Sequence, residues 1–362
     1  MTKTRFALIA ISIAGFLTVA EKPVLADSFN VQTFATGAAV GGTSPDSVLF
    51  GDGSIWISYQ NGAASTGGSG ASTIVRYTPS GTVLNTWSIA GNVDGLRVDP
   101  TGLIWALQNN DANAALTVIN PLTNATTAYS YGSSYSNSAG RGFDDAAFEH
   151  GQVFLSETNP VSGTDPILLK LSTGLTSPLQ VSGLLNSTST GKNLATGANT
   201  SVSITDPDSL ILMPSGDLAL TGEADQTIVF IHNPGAANQS ESFIALKGPN
   251  GQPISGNPDD TMFPTATQGF FYIADTGGNT VYRISATGLP AGSVFIDVGD
   301  EFGSLDTSTG IATPIFTGVS PHGGEFVTFA AAGVPEPASF GYGAVGLALC
   351  CFYAARRKHR RR

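Results

Sequence analysis

Gly269-Phe-Phe-Tyr-Ile-Ala-Asp-Thr-Gly-Gly-Asn-Thr-Val-Tyr-Arg-Ile284 holds two short apolar runs around a turn. The runs are rich in aromatic and β-branched residues, which suit a half-buried pleated surface. Asp275, Gly277, Gly278 and Asn279 are turn formers and break the two runs apart. The stretch therefore predicts two antiparallel strands joined tightly.

Related stretches lie upstream, each following a turn glycine. They are Gly53-Ser-Ile-Trp-Ile-Ser-Tyr, Gly102-Leu-Ile-Trp-Ala-Leu, Gly151-Gln-Val-Phe-Leu-Ser-Glu-Thr and Gly216-Asp-Leu-Ala-Leu-Thr-Gly-Glu. The five glycines are spaced 49, 49, 65 and 53 residues apart. Before each copy stands another short apolar strand opened by an acid: Asp46, Asp94, Asp145, Asp208 and Asp260. Third strands follow most copies, as in Thr73-Ile-Val-Arg-Tyr and Thr227-Ile-Val-Phe-Ile, and fourth strands follow some, as in Ser242-Phe-Ile-Ala-Leu. Four short strands per repeat of this length predict an all-β propeller, in which each blade buries its faces on its neighbours. The Gly269–Ile284 stretch resembles an NHL-type repeat, and the other copies resemble it more loosely. Residues 301–330 hold further strand-like matter, and Phe29–Ala35 reads as a strand that closes the ring beside the last blade. The count is six blades, with five or seven open, and a β-sandwich is the competing architecture. Ser177–Thr205, full of Ser, Thr, Asn and Gly, reads as a long loop or hairpin insert on one face.

In a propeller the first strand of each blade lines the central channel. Asp46, Asp94, Asp145, Asp208 and Asp260 are then expected near one mouth, where crowded like charges would favour a hard cation such as Ca²⁺ or Mg²⁺. The competing reading is that each acid caps its own turn. His150, His232 and His322 share no metal-ligand spacing. His322, in Ser320-Pro-His-Gly-Gly-Glu325, resembles the histidine of lyases of the virginiamycin B type, propellers that use a histidine and an acid with Mg²⁺. That resemblance makes His322 and Glu325 catalytic candidates, although the pattern is incomplete here. Gluconolactonase-like propellers are a related expectation without a local motif. Nucleophile elbow, P-loop and dinucleotide fingerprint are all missing. Trp56, Trp87 and Trp105 lie on predicted strands and are expected in the core between blades, with a sugar-stacking platform as the alternative.

The two ends read differently. Lys3 and Arg5 precede an apolar run from Phe6 to Ala20, and Val24-Leu25-Ala26 offers a small-residue cleavage site, so residues 1–26 are expected to be a signal peptide cut after Ala26. At the other end, Val334-Pro335-Glu336-Pro337 precedes an uncharged run over 338–355 and a basic tail over 356–362. Eighteen helical residues span roughly 27 Å, close to a hydrocarbon core of about 30 Å, and the bases hold the tail on the cytoplasmic side. This segment resembles the PEP-CTERM sorting signal of Gram-negative bacteria. The resemblance implies recognition by an exosortase, cleavage near Pro335–Pro337, and display at the cell surface or release.

Between the ends lies a body of residues 27–333. Of 16 Lys/Arg, three fall in residues 1–26 and six in 334–362, which leaves seven; of 27 Asp/Glu, one falls in each end, which leaves 25. The body thus carries a net charge of −18, which argues against nucleic acid as a partner. Both cysteines, Cys350 and Cys351, sit in the tail, so the body has no disulfide and no thiolate metal site. The expected role is a cell-surface or matrix binding module for exopolysaccharide or an envelope protein; the competing role is a metal-dependent propeller enzyme.

Overall fold

The computed structural model describes residues 28–136, 140–172 and 174–333. Residues 1–27 and 334–362, which carry the expected signal peptide and sorting tail, lie outside the described residues. Among the described residues, no helix is long and apolar enough to cross a membrane.

The chain opens with β1 (Ser28–Thr36). Four strands then form the first sheet: β2 (Pro45–Gly51), β3 (Ser54–Tyr59), β4 (Ala71–Tyr77) and β5 (Val83–Ala90). The second sheet is β6 (Val93–Val98), β7 (Ile104–Gln108), β8 (Ala115–Ile119) and β9 (Thr126–Ser130). The third is β10 (Gly142–Glu149), β11 (Gln152–Thr158), β12 (Pro166–Leu171) and β13 (Val181–Asn186). A hairpin of β14 (Thr190–Asn193) and β15 (Asn199–Ser201) follows. It extends the outer edge of the fourth sheet, β16 (Pro207–Leu212), β17 (Leu218–Gly222), β18 (Thr227–His232) and β19 (Ser240–Ala245). The Ser177–Thr205 stretch is thus partly ordered strand, shared between the third and fourth sheets.

The last two sheets interleave. After β20 (Pro258–Met262) come β21 (Gln268–Asp275) and β22 (Thr280–Thr287), then β23 (Val294–Val298), β24 (Glu301–Asp306), β25 (Ile311–Thr317) and β26 (Pro321–Thr328). The fifth sheet is β20-β23-β24-β25 and the sixth is β26-β21-β22-β1. This corrects one sequence expectation. The Asp260 strand and the Gly269 strand were read as neighbours in one repeat, yet they belong to different blades. The Asp260 strand is short and largely polar, Pro-Asp-Asp-Thr-Met, so its local pattern does not choose the partner. The expectation for Phe29–Ala35 holds: β1 pairs along β22, with Phe29 opposite Ala286 and Val31 opposite Ile284.

Six sheets in cyclic contact make a six-bladed propeller, and the sandwich alternative falls. Each of the six cores lies between two neighbouring blades. On β7, Ile104 and Ala106 pack toward the first blade, while Trp105 and Leu107 pack toward the third. Successive strand residues point to opposite faces. A strand buried on both faces must therefore be apolar throughout, which is why the repeats read as continuous runs. Trp56 and Trp87 stack with centroids 5.1 Å apart inside the core between blades one and two. All three tryptophans are at least nine-tenths buried, so none is a surface platform for sugars.

Candidate functional site

The innermost strand of every blade carries a bulge at the same level. Two residues on the inner strand oppose one on the next strand. They are Asp46-Ser47 opposite Ser58, Asp94-Gly95 opposite Leu107, Asp144-Asp145 opposite Ser156, Asp208-Ser209 opposite Thr221, Asp259-Asp260 opposite Asp297, and His322-Gly323 opposite Ala274. A bulge frees a backbone N–H from the ladder, and two hydroxyls collect it: Ser47 N–H donates to Ser58 Oγ and Asp145 N–H to Ser156 Oγ, each at 3.0 Å.

The first bulge residues form a ring at one channel mouth: Asp46, Asp94, Asp144, Asp208, Asp259 and His322 line one cavity of about 370 Å³. The second bulge residues reach sideways and latch blade to blade. Leu96 N–H donates to Ser47 Oγ at 2.9 Å, Leu210 N–H to Asp145 Oδ2 at 2.8 Å, and Gly324 N–H to Asp260 Oδ2 at 2.8 Å. In the second and sixth blades this position is glycine because the neighbouring backbone fills the space. A Cβ on Gly95 would lie 2.2 Å from Asp144 O, and one on Gly323 would lie 2.0 Å from Asp46 O.

All five expected acids line this cavity. Asp46, Asp94 and Asp208 hold first bulge positions. Asp145 and Asp260 hold second positions, behind Asp144 and Asp259. Asp145 and Asp260 sit one residue deeper, where the Arg97 guanidinium pairs with Asp145 and stands 3.8 Å from Asp260 Oδ1. Arg97 lines both the acidic cavity and a second, more apolar one of about 500 Å³ at the other end of the inner strands, so it forms the waist of the channel. Glu325 faces that second cavity and accepts from Phe50 N–H at 3.4 Å. His322 and Glu325 are therefore not brought together: they lie on opposite sides of the waist.

Burial and mutual repulsion set the charges in the mouth. Asp46, Asp94 and Asp208 are pushed well above the usual carboxylate range, first by burial and then by nearby acids, with His322 offsetting part of the rise at Asp46. Asp144 is pushed up to about 7, by burial, even though Thr158 and Asn110 donate to it. His322 is also raised, but for the opposite reason. Its Nδ1 lies 3.1 Å from Asp259 Oδ2, and that hydrogen bond, against the cost of burial, raises its pKa to about 10. At neutral pH the ring therefore holds protons that it would release to a better counter-charge.

Oxygens of Asp94, Asp144 and Asp208, from three consecutive blades, all lie within 4.8 Å of one another. Oxygen ligands of Ca²⁺ stand 2.3–2.6 Å from the ion, so pairs up to about 5 Å apart can share one. A second observation points the same way. Asn92, also lining this cavity and 6% exposed, has an Oδ1 without a hydrogen-bond partner among the described residues. A buried carbonyl oxygen left this way is what a cation or its water would satisfy. Behind the fifth bulge, Asp297 is fully buried with neither oxygen bonded among the described residues, and burial pushes it well up.

Sequence reasoning missed Asp144, Asp259, Arg97 and Asp297. For Asp259 a signal was present: Pro45-Asp46, Pro207-Asp208, Pro258-Asp259 and Pro321-His322 share a proline just before the ring residue. That alignment picks the first acid of Asp259-Asp260 and puts His322 in the ring, but Asp144 follows Phe143 and carries no such mark.

No family model matches the chain, and no curated protein matches it. Solved structures do. The periplasmic gluconolactonase of Pseudomonas aeruginosa is similar at 13% identity and TM-score 0.45, over 78% of this chain and 88% of that one. A virginiamycin B lyase from Staphylococcus aureus is similar at 13% identity and TM-score 0.44, over 82% and 89%. A protein of unknown function from Bacteroides caccae is similar at 11% identity and TM-score 0.44, over 78% and 86%. These chains are similar in fold, and their identities are too low to carry site chemistry across.

Proposed function

We propose that this protein is an exported, surface-sorted propeller that holds a divalent cation, Ca²⁺ or Mg²⁺, at the acidic mouth of its channel and acts there as a binding module. The observation that carries the cation is the convergence of Asp94, Asp144 and Asp208 from three blades within the span of one ion. Carboxylates already pushed up by burial and by one another's charges gain most from a cation, which replaces several shared protons by one fixed charge. Export rests on the leader-like residues 1–26. Sorting by an exosortase rests on Val334-Pro335-Glu336-Pro337 and the tail after it. A mouth lined by acids, amides and hydroxyls, with a cation at its centre, suits a hydroxyl-rich or anionic ligand. Exopolysaccharide fits that description, and an envelope protein is the other partner the tail suggests.

A second reading is a metal-dependent propeller enzyme of lyase or lactonase type. One observation favours it: His322 stands in the same ring, held protonated by Asp259, where it can give a proton to a ligand on the cation. Glu325, below the waist, takes no part in that reading.

Thermal unfolding of the purified protein in EDTA, and then in Ca²⁺, Mg²⁺ or Mn²⁺, tests the proposal. A cation at 100 times its Kd adds about 2.7 kcal/mol, a rise of several degrees for a domain of this size. No rise with any of the three overturns the cation site. Where one appears, lactone and lyase screens with and without that metal separate the module from the enzyme.

A further inference from the structure

Far from the channel, on the outer part of the fourth blade, three side chains join end to end. His232 closes β18, and its Nδ1 lies 3.0 Å from Asp217 Oδ2. Its Nε2 lies 3.0 Å from the Oγ of Ser242 on β19. Asp217 is held in turn: Asn233 N–H donates to its Oδ1 at 3.2 Å and the Ser215 hydroxyl to its Oδ2 at 3.2 Å. Burial pushes Asp217 up, but these bonds and that from His232 outweigh it and hold it below the usual range. An ionised Asp217 accepts a hydrogen bond from Nδ1–H, which leaves Nε2 free to accept from the Ser242 hydroxyl. That is the order of groups that activates a serine.

The hairpin of β14 and β15 turns this edge into a cavity of about 520 Å³, lined by Ser242, His232, Lys192, Asn199 and Gln239 among others. Lys192 is the one lysine or arginine among the lining residues. Its ammonium is the cation available to a developing oxyanion. Leu194 is the one large apolar side chain of the lining. A long acyl chain finds no slot there, whereas a small acyl group on a hydroxyl-rich alcohol does.

We propose that Asp217, His232 and Ser242 form a second, metal-independent site that hydrolyses esters of small acyl groups with polar alcohols. Ser242 Oγ bonds to the ester carbonyl carbon as its proton passes to His232 Nε2. The bond from carbon to the alcohol oxygen breaks, and the alcohol leaves with that proton. Water then bonds to the acyl carbon and gives a proton to Nε2. The carbon–Oγ bond breaks, the acid departs, and Ser242 takes its proton back. Atoms and electrons balance with water as the only co-reactant.

The test is to treat the protein with a fluorophosphonate reporter and locate the label by peptide mass spectrometry, in EDTA so that the channel plays no part. The expected result is label on Ser242, lost in Ser242→Ala and His232→Gln. Para-nitrophenyl acetate turnover should also fall by about 100-fold or more in both variants, the usual weight of a general base. An unlabelled wild-type chain overturns the proposal and needs no variant to fold. Label that persists in Ser242→Ala, or equal turnover by wild type and folded Ser242→Ala, overturns it as well.

Discussion

At the residue scale, the ring makes opposite predictions for stability and binding. Asp208→Asn replaces a buried acid that resists ionisation by a neutral side chain, so the metal-free protein should melt higher at alkaline pH, where the acid must ionise among its neighbours, while the rise caused by Ca²⁺ or Mg²⁺ should shrink or vanish. Melting curves with and without EDTA read both; a lower metal-free melting temperature there counts against ionisation as the dominant cost. The pH response follows from signs. Asp144, Asp145 and Glu325 are each raised to about 7 when folded, so the folded chain binds their protons more tightly than the unfolded one. Their contribution is present at about pH 4–5 and is lost as pH rises through about 7. His322 adds stability up to neutral pH that disappears near 10. In EDTA the melting temperature should therefore fall from pH 5 to pH 8, and a bound cation should flatten that fall, which titration by calorimetry checks. The acids were legible in the sequence as a set, since each opens an inner strand. Their exact members were not. A bulge puts two successive residues opposite one, and the doublets Asp144-Asp145 and Asp259-Asp260 hide which of the two faces the mouth.

At the element scale, the inner strands are fastened to each other by the second bulge residue. Gly95→Ala should cost about 1–3 kcal/mol or more, because its Cβ has no room beside Asp144 O and the strand must move. Urea unfolding measures it; a neutral result would mean that the latch geometry is loose. Arg97→Met should cost more, about 3–5 kcal/mol, since it strands Asp145 beside Asp260 in a buried waist. The same measurement at pH 5, where those acids can take up protons, should show a smaller loss. Strand existence was readable from apolar runs bounded by glycine. The role of Arg97 was not, because a lone basic residue in Leu96-Arg97-Val98 gives no sign that it points into an acidic channel. Likewise Asp217, His232 and Ser242 carry no shared motif, and only the pairing of β17, β18 and β19 brings them together.

On the scale of the whole molecule, the ring closes through β1, the outer strand of the blade whose inner strand is β26. Removing residues 28–36 should strip the outer strand from the sixth blade and weaken the two cores that blade shares with its neighbours, with a broader and lower calorimetric transition. An unchanged transition would show that β1 is dispensable. Five turn glycines marked five repeats, and the sixth blade came from residues 29–35 and 301–330, with five or seven open; the exchange between the last two blades could not be read, because the short Pro-Asp-Asp-Thr-Met strand does not choose its partner. That exchange limits how such a gene can change. Blades one to four are contiguous stretches, so recombination can copy or drop one and leave every other sheet whole. Residues 258–328 behave instead as a single cassette: a crossover anywhere between β20 and β26 takes strands from two sheets at once. Copy-number variants of this protein should therefore gain and lose their repeats upstream of residue 258, and keep the final pair intact.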